Sequence, residues 1–204
     1  MLALAALTLS LQVTQTSFDL LDGVSIEVAA HNGTSTPQIV KFARPAEYEI
    51  QVLRGDSVIW SNATAVPTGV TFPIHMRAFV PGPSVLVVYI WNALESDGSS
   101  PGPGEYSVRA RLLGMGVTPE ARANVRFIAP LPTASLEKLK LGDTVTIAGT
   151  LDARKNVLTD ASGSVMLARR LLTAPASAVA VRGYLIRRPD RSHVFFVQRW
   201  APIE

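Results

Sequence analysis

Residues 47–60, EYEIQVLRGDSVIW, decide how the rest of this chain is read. Tyr48, Ile50 and Val52 fall on one side of an extended segment, and Glu49, Gln51 and Leu53 fall on the other. This is the period-two alternation of a strand with one buried face. Arg54-Gly55-Asp56-Ser57 supplies a turn, after which Val58, Ile59 and Trp60 start a return strand. The stretch therefore predicts a β-hairpin carrying Tyr48 and Trp60, rings that bury ~150–250 Å² each and can seed a core.

The same alternation recurs outward in both directions. Residues 7–13 and 24–30 alternate, the latter with Val24, Ile26 and Val28 inward, and His31-Asn32-Gly33-Thr34 follows as a turn. Residues 38–43 form a further strand. Residues 71–79 place Phe72, Ile74, Met76 and Ala78 on one parity and His75 and Arg77 on the other. The run 85–91, VLVVYIW, is continuously apolar and reads as a buried strand. Residues 95–104, ESDGSSPGPG, read as a surface loop. Residues 105–112 alternate with Tyr106, Val108, Ala110 and Leu112 inward, and a last strand covers 124–129. About eight short strands without a helical period predict an antiparallel sandwich of immunoglobulin-like type.

Composition supports this. Of 204 residues, 48% are hydrophobic and 17% charged, enough to build a core and too apolar for global disorder. Fourteen glycines and 14 prolines suit short strands joined by tight turns. The absence of cysteine excludes a disulfide framework, a zinc-thiolate site and a cysteine nucleophile. Residues 2–11, LALAALTLSL, are shorter than the ~20 residues needed to span a membrane. Ala3-Leu4-Ala5 has the small-x-small form of a signal-peptidase site, so residues 1–6 are read as a signal-peptide remnant. Export to the periplasm, cell surface or medium follows from that reading. A first strand starting near Leu7 is compatible with that reading, and cytoplasmic residence is the alternative to export.

The order of motifs resembles a known family. A strand ending in Asn-Gly, then EYEIQVLRGDSVIWSN, then Val80-Pro81-Gly82-Pro83-Ser84, then PGPGEYSVRARLLG, is similar to the BsuPI family of bacterial proteinase-inhibitor domains. The matching residues are Tyr48, Val58, Trp60, Pro81, Gly82, Pro103, Gly104 and Tyr106, and the resemblance covers residues 7–129. The family's aromatic after the tryptophan segment has Phe72 as its nearest counterpart. The resemblance implies an immunoglobulin-like sandwich that binds proteins, serine proteinases among them.

Charge and composition change near residue 136. Residues 1–136 hold 8 Lys/Arg against 10 Asp/Glu, whereas residues 137–204 hold 11 against 6. Residues 130–136, beginning Pro130-Leu131-Pro132, read as a stiff linker. Beyond it, GDTVTIAGTL, LTDASGSVML and VAVRGYL place five strands in residues 137–204, with Gly149 and Gly183 mid-strand as bends or bulges. This resembles a small OB-fold barrel, with the usual intervening helix reduced to residues 170–177 at most. Such barrels bind oligonucleotides, oligosaccharides or peptides.

No catalytic constellation emerges. His31, His75 and His193 lie in separate segments without metal-ligand spacing, and there is no nucleophile elbow, phosphate loop or dinucleotide fingerprint. The chain reads as non-enzymatic and without a cofactor. Two binding surfaces stand out. Ser99, Pro101, Gly102 and Pro103, in the loop 95–104, form the candidate protein-contact loop, with residues 61–69 as its rival. Arg154, Lys155, Arg187, Arg188 and Trp200, within a wider set that adds Arg169, Arg170, Arg182, Arg191 and Arg199, form the candidate polyanion site, with Tyr184 and Phe196 as further stacking platforms. A protein partner is the leading expectation; single-stranded nucleic acid or an anionic glycan is the alternative.

Overall fold

The computed structural model describes residues 7–63, 70–171, 177–190 and 192–203. The leader reading of residues 1–6, most of the rival loop 61–69, Arg191 and most of residues 170–177 lie outside them. The described chain is all-β, with one short 3₁₀ helix at Thr133–Lys138. It forms two compact units, and each draws on more than one stretch of sequence.

Unit 1 comprises Met1–Thr16, Val24–Trp91 and Glu105–Val125. Strands β1 (Leu7–Val13), β3 (Val24–Asn32) and β8 (Gly82–Trp91) form one antiparallel sheet with β3 in the middle. Strands β5 (Tyr48–Arg54), β6 (Ser57–Ser61), β9 (Gly104–Leu112) and β10 (Glu120–Phe127) form a second, in the order β10-β9-β5-β6. A two-stranded ribbon pairs β4 (Gln38–Phe42) with β7 (His75–Phe79). One core joins all three: Leu7 and Ala30 from the first sheet, Leu112 from the second, and Val40, Phe42 and Phe79 from the ribbon.

The hairpin at 48–61 forms as its alternation predicts, with Gly55 in the left-handed region at φ +59°. It departs from the one-faced strand in that Gln51 and Leu53 are buried as well as Ile50 and Val52. β5 is an inner strand, and side chains of its neighbours β6 and β9, among them Arg109 and Arg111, lie over its second face. Burial of its polar side is compensated by partners, since Gln51 accepts from Arg109 and Glu49 accepts from Arg111, Gln51 and Ser61. Burial favours the neutral form of Glu49, but the hydrogen bond and charge of Arg111 outweigh it and hold the carboxyl below its usual range. Trp60 is half-buried and packs on Tyr89 and Trp91, at centroid distances of 5.4 and 6.1 Å; Trp91 is the buried tryptophan.

The run 85–91 is not a doubly buried strand. It lies at a sheet edge within β8, and Val85, Val88 and Ile90 are exposed. Continuous hydrophobicity cannot separate an inner strand from an edge strand with an apolar outer side.

Unit 2 comprises Ser17–Gly23, Asn92–Gly104 and Arg126–Glu204. Its sheet runs β13 (Ser164–Met166), β12 (Val157–Thr159), β11 (Thr144–Asp152), β14 (Ser177–Arg187), β15 (His193–Pro202), and every neighbouring pair is antiparallel. A parallel bridge from Leu167 to Phe195, with the Ala168 amide donating to the Phe195 carbonyl at 2.8 Å, joins the sheet's two edges. Ile147, Leu151, Leu158, Leu167, Val181, Phe195 and Val197 fill the interior. A two-residue strand β2 (Ser17–Phe18) pairs in parallel with the end of β10, where Phe18 meets Phe127.

The expected single boundary at 130–136 therefore differs from the observed division. Residues 130–136 are not an extended spacer: the Leu131 amide donates to the Thr146 carbonyl at 2.8 Å, and Leu136 joins the unit 2 core. Asp160 fastens this segment. Its carboxylate accepts from the Thr133 amide (2.7 Å) and hydroxyl (2.8 Å), the Ser162 amide (2.7 Å) and hydroxyl (2.6 Å), and the Gly163 amide (2.9 Å). Burial opposes ionisation here, but donors from Ser162 and Thr133 prevail and hold Asp160 far below the usual carboxylate range.

The mid-strand glycines have a packing reason. A Cβ on Gly183 would collide with the Phe196 carbonyl and the Phe195 ring, at the point where the β14–β15 register shifts. A Cβ on Gly149 would strike the Thr159 carbonyl. Gly183→Ala is expected to destabilise unit 2 by about 2–3 kcal/mol, and Gly102→Ala, which meets nothing, by less than about 0.5 kcal/mol; chemical denaturation of the two variants checks this. For Asp160, a carboxyl lowered on folding stabilises above its unfolded value near ~4 and loses that contribution as pH falls through the folded value. Asp160→Ala is thus expected to lower the thermal midpoint at neutral pH, with the gap to wild type narrowing below about pH 4.

Candidate protein-contact surface

The contact loop expected at 95–104 is exposed at Ser96, Asp97, Gly98 and Pro103, but its middle turns inward. Ser99, Ser100 and Pro101 are buried, Gly102 is half-buried and Pro103 alone of the four candidates is exposed. The Glu95 amide donates to the Ser99 carbonyl, the Ser99 amide and hydroxyl donate to Asp97, and the Ser100 amide donates to Pro202 at 2.8 Å, where Ser100 bridges Ile203. Glycine and proline composition predicts irregular backbone correctly. It does not predict that the backbone docks on the last strand of unit 2.

The polyanion candidates do not converge. Leu151, at the end of β11, pairs with Ser177 at the start of β14, so the turn carrying Arg154 and Lys155 sits at that end of the sheet. Arg187 closes β14 at the other end, ten residues on, a span of about 33 Å at strand rise; Arg188 follows in the β14–β15 turn, its amide bonded to Ser192. Lys155 lies 3.8 Å from Asp152. Trp200 sits opposite Val181 in mid-sheet, half-buried against the core. Arg169 and Arg170 are exposed after Leu167. Two of the basic residues are structural: Arg182 contacts Asp19 at 3.1 Å and Asp22 at 2.7 Å, and Arg199 donates to the carbonyls of Leu21 and Asn92. Tyr184 and Phe196 do stack, at 5.1 Å, as neighbours across β14 and β15.

Among the described residues no group of three or more His, Cys, Asp or Glu could hold a metal ion. His31 is exposed on β3, and His193 opens β15 opposite Arg187. A cleft of about 520 Å³ in unit 1 sets Arg44 and Arg111 against Glu49 and Glu120, with Arg111 committed to Glu49.

The feature that does stand out is β7, whose sidedness is inverted. Its apolar parity, Ile74, Met76, Ala78 and Val80, faces solvent, and Ile74, Met76 and Val80 are 59%, 66% and 55% exposed. Its polar parity faces the ribbon's inner side. His75 stacks on buried Phe42 at 5.2 Å and lies 3.3 Å from Glu47; Arg77 meets Glu47 at 2.6 Å and lies over the Phe79 ring. Phe79, on the His75 parity, is fully buried and fixes which side is in. Ile39 of β4, 62% exposed, pairs with Ala78 and widens the stripe; Lys41 pairs with Met76 and borders it. Scattered exposed aliphatics are ordinary, whereas contiguous apolar patches are the kind of feature from which interaction surfaces are built. Met76 adds a polarizable, unbranched side chain that fits irregular partner surfaces. The alternation at 71–79 is visible in sequence. Which parity faces inward depends on Phe42 and Glu47, more than 25 residues away in the chain.

No family model and no curated protein matches this chain. Among solved structures, it is similar to a β-glucosidase from Erythrobacter marinus, with 15% identity and a TM-score of 0.34 over 60% of this chain. It is also similar to the sporulation control protein Spo0M from Bacillus subtilis, with 14% identity and a TM-score of 0.38 over 90% of this chain and 76% of that one. The chain spans 15% of the length of the β-glucosidase it matches. At these scores neither likeness carries an argument about activity.

Proposed function

We propose that this chain is a non-enzymatic binding protein that engages a protein partner through the outward side of the β4–β7 ribbon. The single observation behind this is the inverted strand β7, which keeps charged and aromatic groups within and presents Ile74, Met76 and Val80, with Ile39 alongside, to solvent. The strand orders β1-β3-β8 and β10-β9-β5-β6 around one core suit an immunoglobulin-like sandwich. The order β13-β12-β11-β14-β15 with its closing parallel bridge suits an OB-type barrel as a second module. The resemblance to BsuPI domains names the partner class to try first, a subtilisin-like serine proteinase. Dispersal of the arginines over both ends of the β14 sheet argues against a polyanion groove as the principal site.

The test is a titration of subtilisin with the full chain, reading hydrolysis of a chromogenic peptide and, in parallel, complex formation by interferometry. Wild type is expected to bind, and Ile39→Lys and Met76→Lys each to weaken binding at least ~10-fold while leaving the thermal midpoint unchanged. Equal binding by wild type and both variants would overturn the assignment of the face. Absence of binding to subtilisin, together with steeply salt-dependent binding to single-stranded DNA, would favour the polyanion reading instead.

A further inference from the structure

We infer that the cleft between the β4–β5 and β9–β10 connections of unit 1 binds a carboxylate, held between the guanidinium groups of Arg44 and Arg111. The carboxylate is that of a free amino acid or of a peptide C-terminus. The cleft measures about 520 Å³, room for a ligand of one to a few residues. Two backbone hydrogen bonds build it. The Met115 amide donates to the Lys41 carbonyl and the Leu113 amide to the Glu47 carbonyl, each at 2.8 Å. The turn carrying Arg44 is thereby clamped on both sides of that residue against the segment that follows Arg111. Leu112 and Leu113 add an apolar wall.

The carboxylates around the cleft are engaged, and Arg44 is not. Glu47 meets His75 and Arg77. Glu49 accepts from Arg111, Gln51 and Ser61, and Glu120 pairs with Arg122 at 3.1 Å. Among the described residues Arg44 has no hydrogen bond or ion pair, although it lines the cleft together with Arg111. Arg111 itself is only partly used. Its Nη2 donates to Glu49, but its Nε is buried without a hydrogen-bond partner. A buried donor left unmade is costly, and native folds contain few. The Arg111 side chain lines the cleft and is 37% exposed, so a ligand can reach it. Glu49 fixes this guanidinium in place while leaving donors of its planar fork free for a second carboxylate.

Charge balance selects the anion. Glu49 and Glu120 line the cleft with the two arginines, so its wall carries two groups of each sign. A phosphate dianion meets twice the repulsion from those carboxylates that a monoanion meets at the same distance. A carboxylate on a molecule that also bears an ammonium adds no net charge, and Glu120 at the wall is an acceptor for that ammonium. Free amino acids and unblocked peptides have both groups.

Nitrogen-15 NMR of the full chain reads the Nε–H signals of Arg44 and Arg111 directly. Leucine, trialanine, trialanine amide and inorganic phosphate are titrated to ~50 mM. Leucine and trialanine are expected to shift both signals saturably, and trialanine amide to bind at least ~10-fold more weakly than trialanine. Arg44→Ala removes an exposed side chain without a partner, so it is expected to weaken binding at least ~10-fold at an unchanged thermal midpoint. Lys140→Ala, an equal loss of charge in unit 2, is expected to bind as wild type. Equal affinities for leucine and trialanine identify a free amino acid as the ligand; a preference of ~10-fold or more for trialanine identifies a peptide end. The absence of a saturable shift with either acid would overturn the inference. So would Arg44→Ala binding as wild type does, the amide binding as the acid does, or phosphate binding as tightly as both acids.

Discussion

The ion pairs of Arg182 hold together what the chain's order keeps apart. One guanidinium meets both Asp19 and Asp22, and Thr146, which lies opposite Arg182 on β11, donates its hydroxyl to the Leu20 carbonyl at 2.7 Å. Arg199, opposite Arg182 on β15, takes the Leu21 and Asn92 carbonyls. Phe18, Leu20 and Leu21 are thereby buried. Unit 2 is complete only with Ser17–Gly23 and Asn92–Gly104 in place. Loss of one partner of such a partly buried charged pair leaves the other desolvated and uncompensated, which costs more than the pair contributes when whole.

That constraint marks where sequence reading stops. Period-two patterns find the strands at 7–13, 24–30, 47–60 and 105–112, because each depends on local alternation and local turn residues, although β3 continues through His31 and Asn32, which the turn signal assigns to a turn. Of the mid-strand glycines read as bends or bulges, Gly183 sits at a register shift, whereas Gly149 lies in unbroken register and is instead a point of close approach to the Thr159 carbonyl. The fate of residues 95–104 was not legible: proline and glycine report backbone irregularity, and the edge they dock on lies about a hundred residues onward. The arginines of the last third looked like one basic surface because charge was counted along the chain. In space two of them neutralise Asp19, Asp22 and backbone carbonyls from the first hundred residues.

The two surfaces of unit 1 illustrate different failures of hydrophobicity as a guide to burial. On β7 the alternation is correct and the sidedness is set elsewhere, by Phe79, Phe42 and the carboxylate of Glu47. On β8 the continuous apolar run hides an edge position, and its outer half is left in water. Both put aliphatic side chains where a stability argument alone would place polar ones, and such local inconsistencies are where function is expected to reside.

The reach of the Arg182–Asp19 pair, 163 residues along the chain, also bears on biosynthesis. A ribosome adding ~5–20 residues per second needs roughly 10–30 s between making the aspartate and making its arginine. For that interval Phe18, Leu20 and Leu21 have no finished unit to enter. A nascent chain built this way carries a greasy segment that must be shielded until the strand bearing Arg182 emerges.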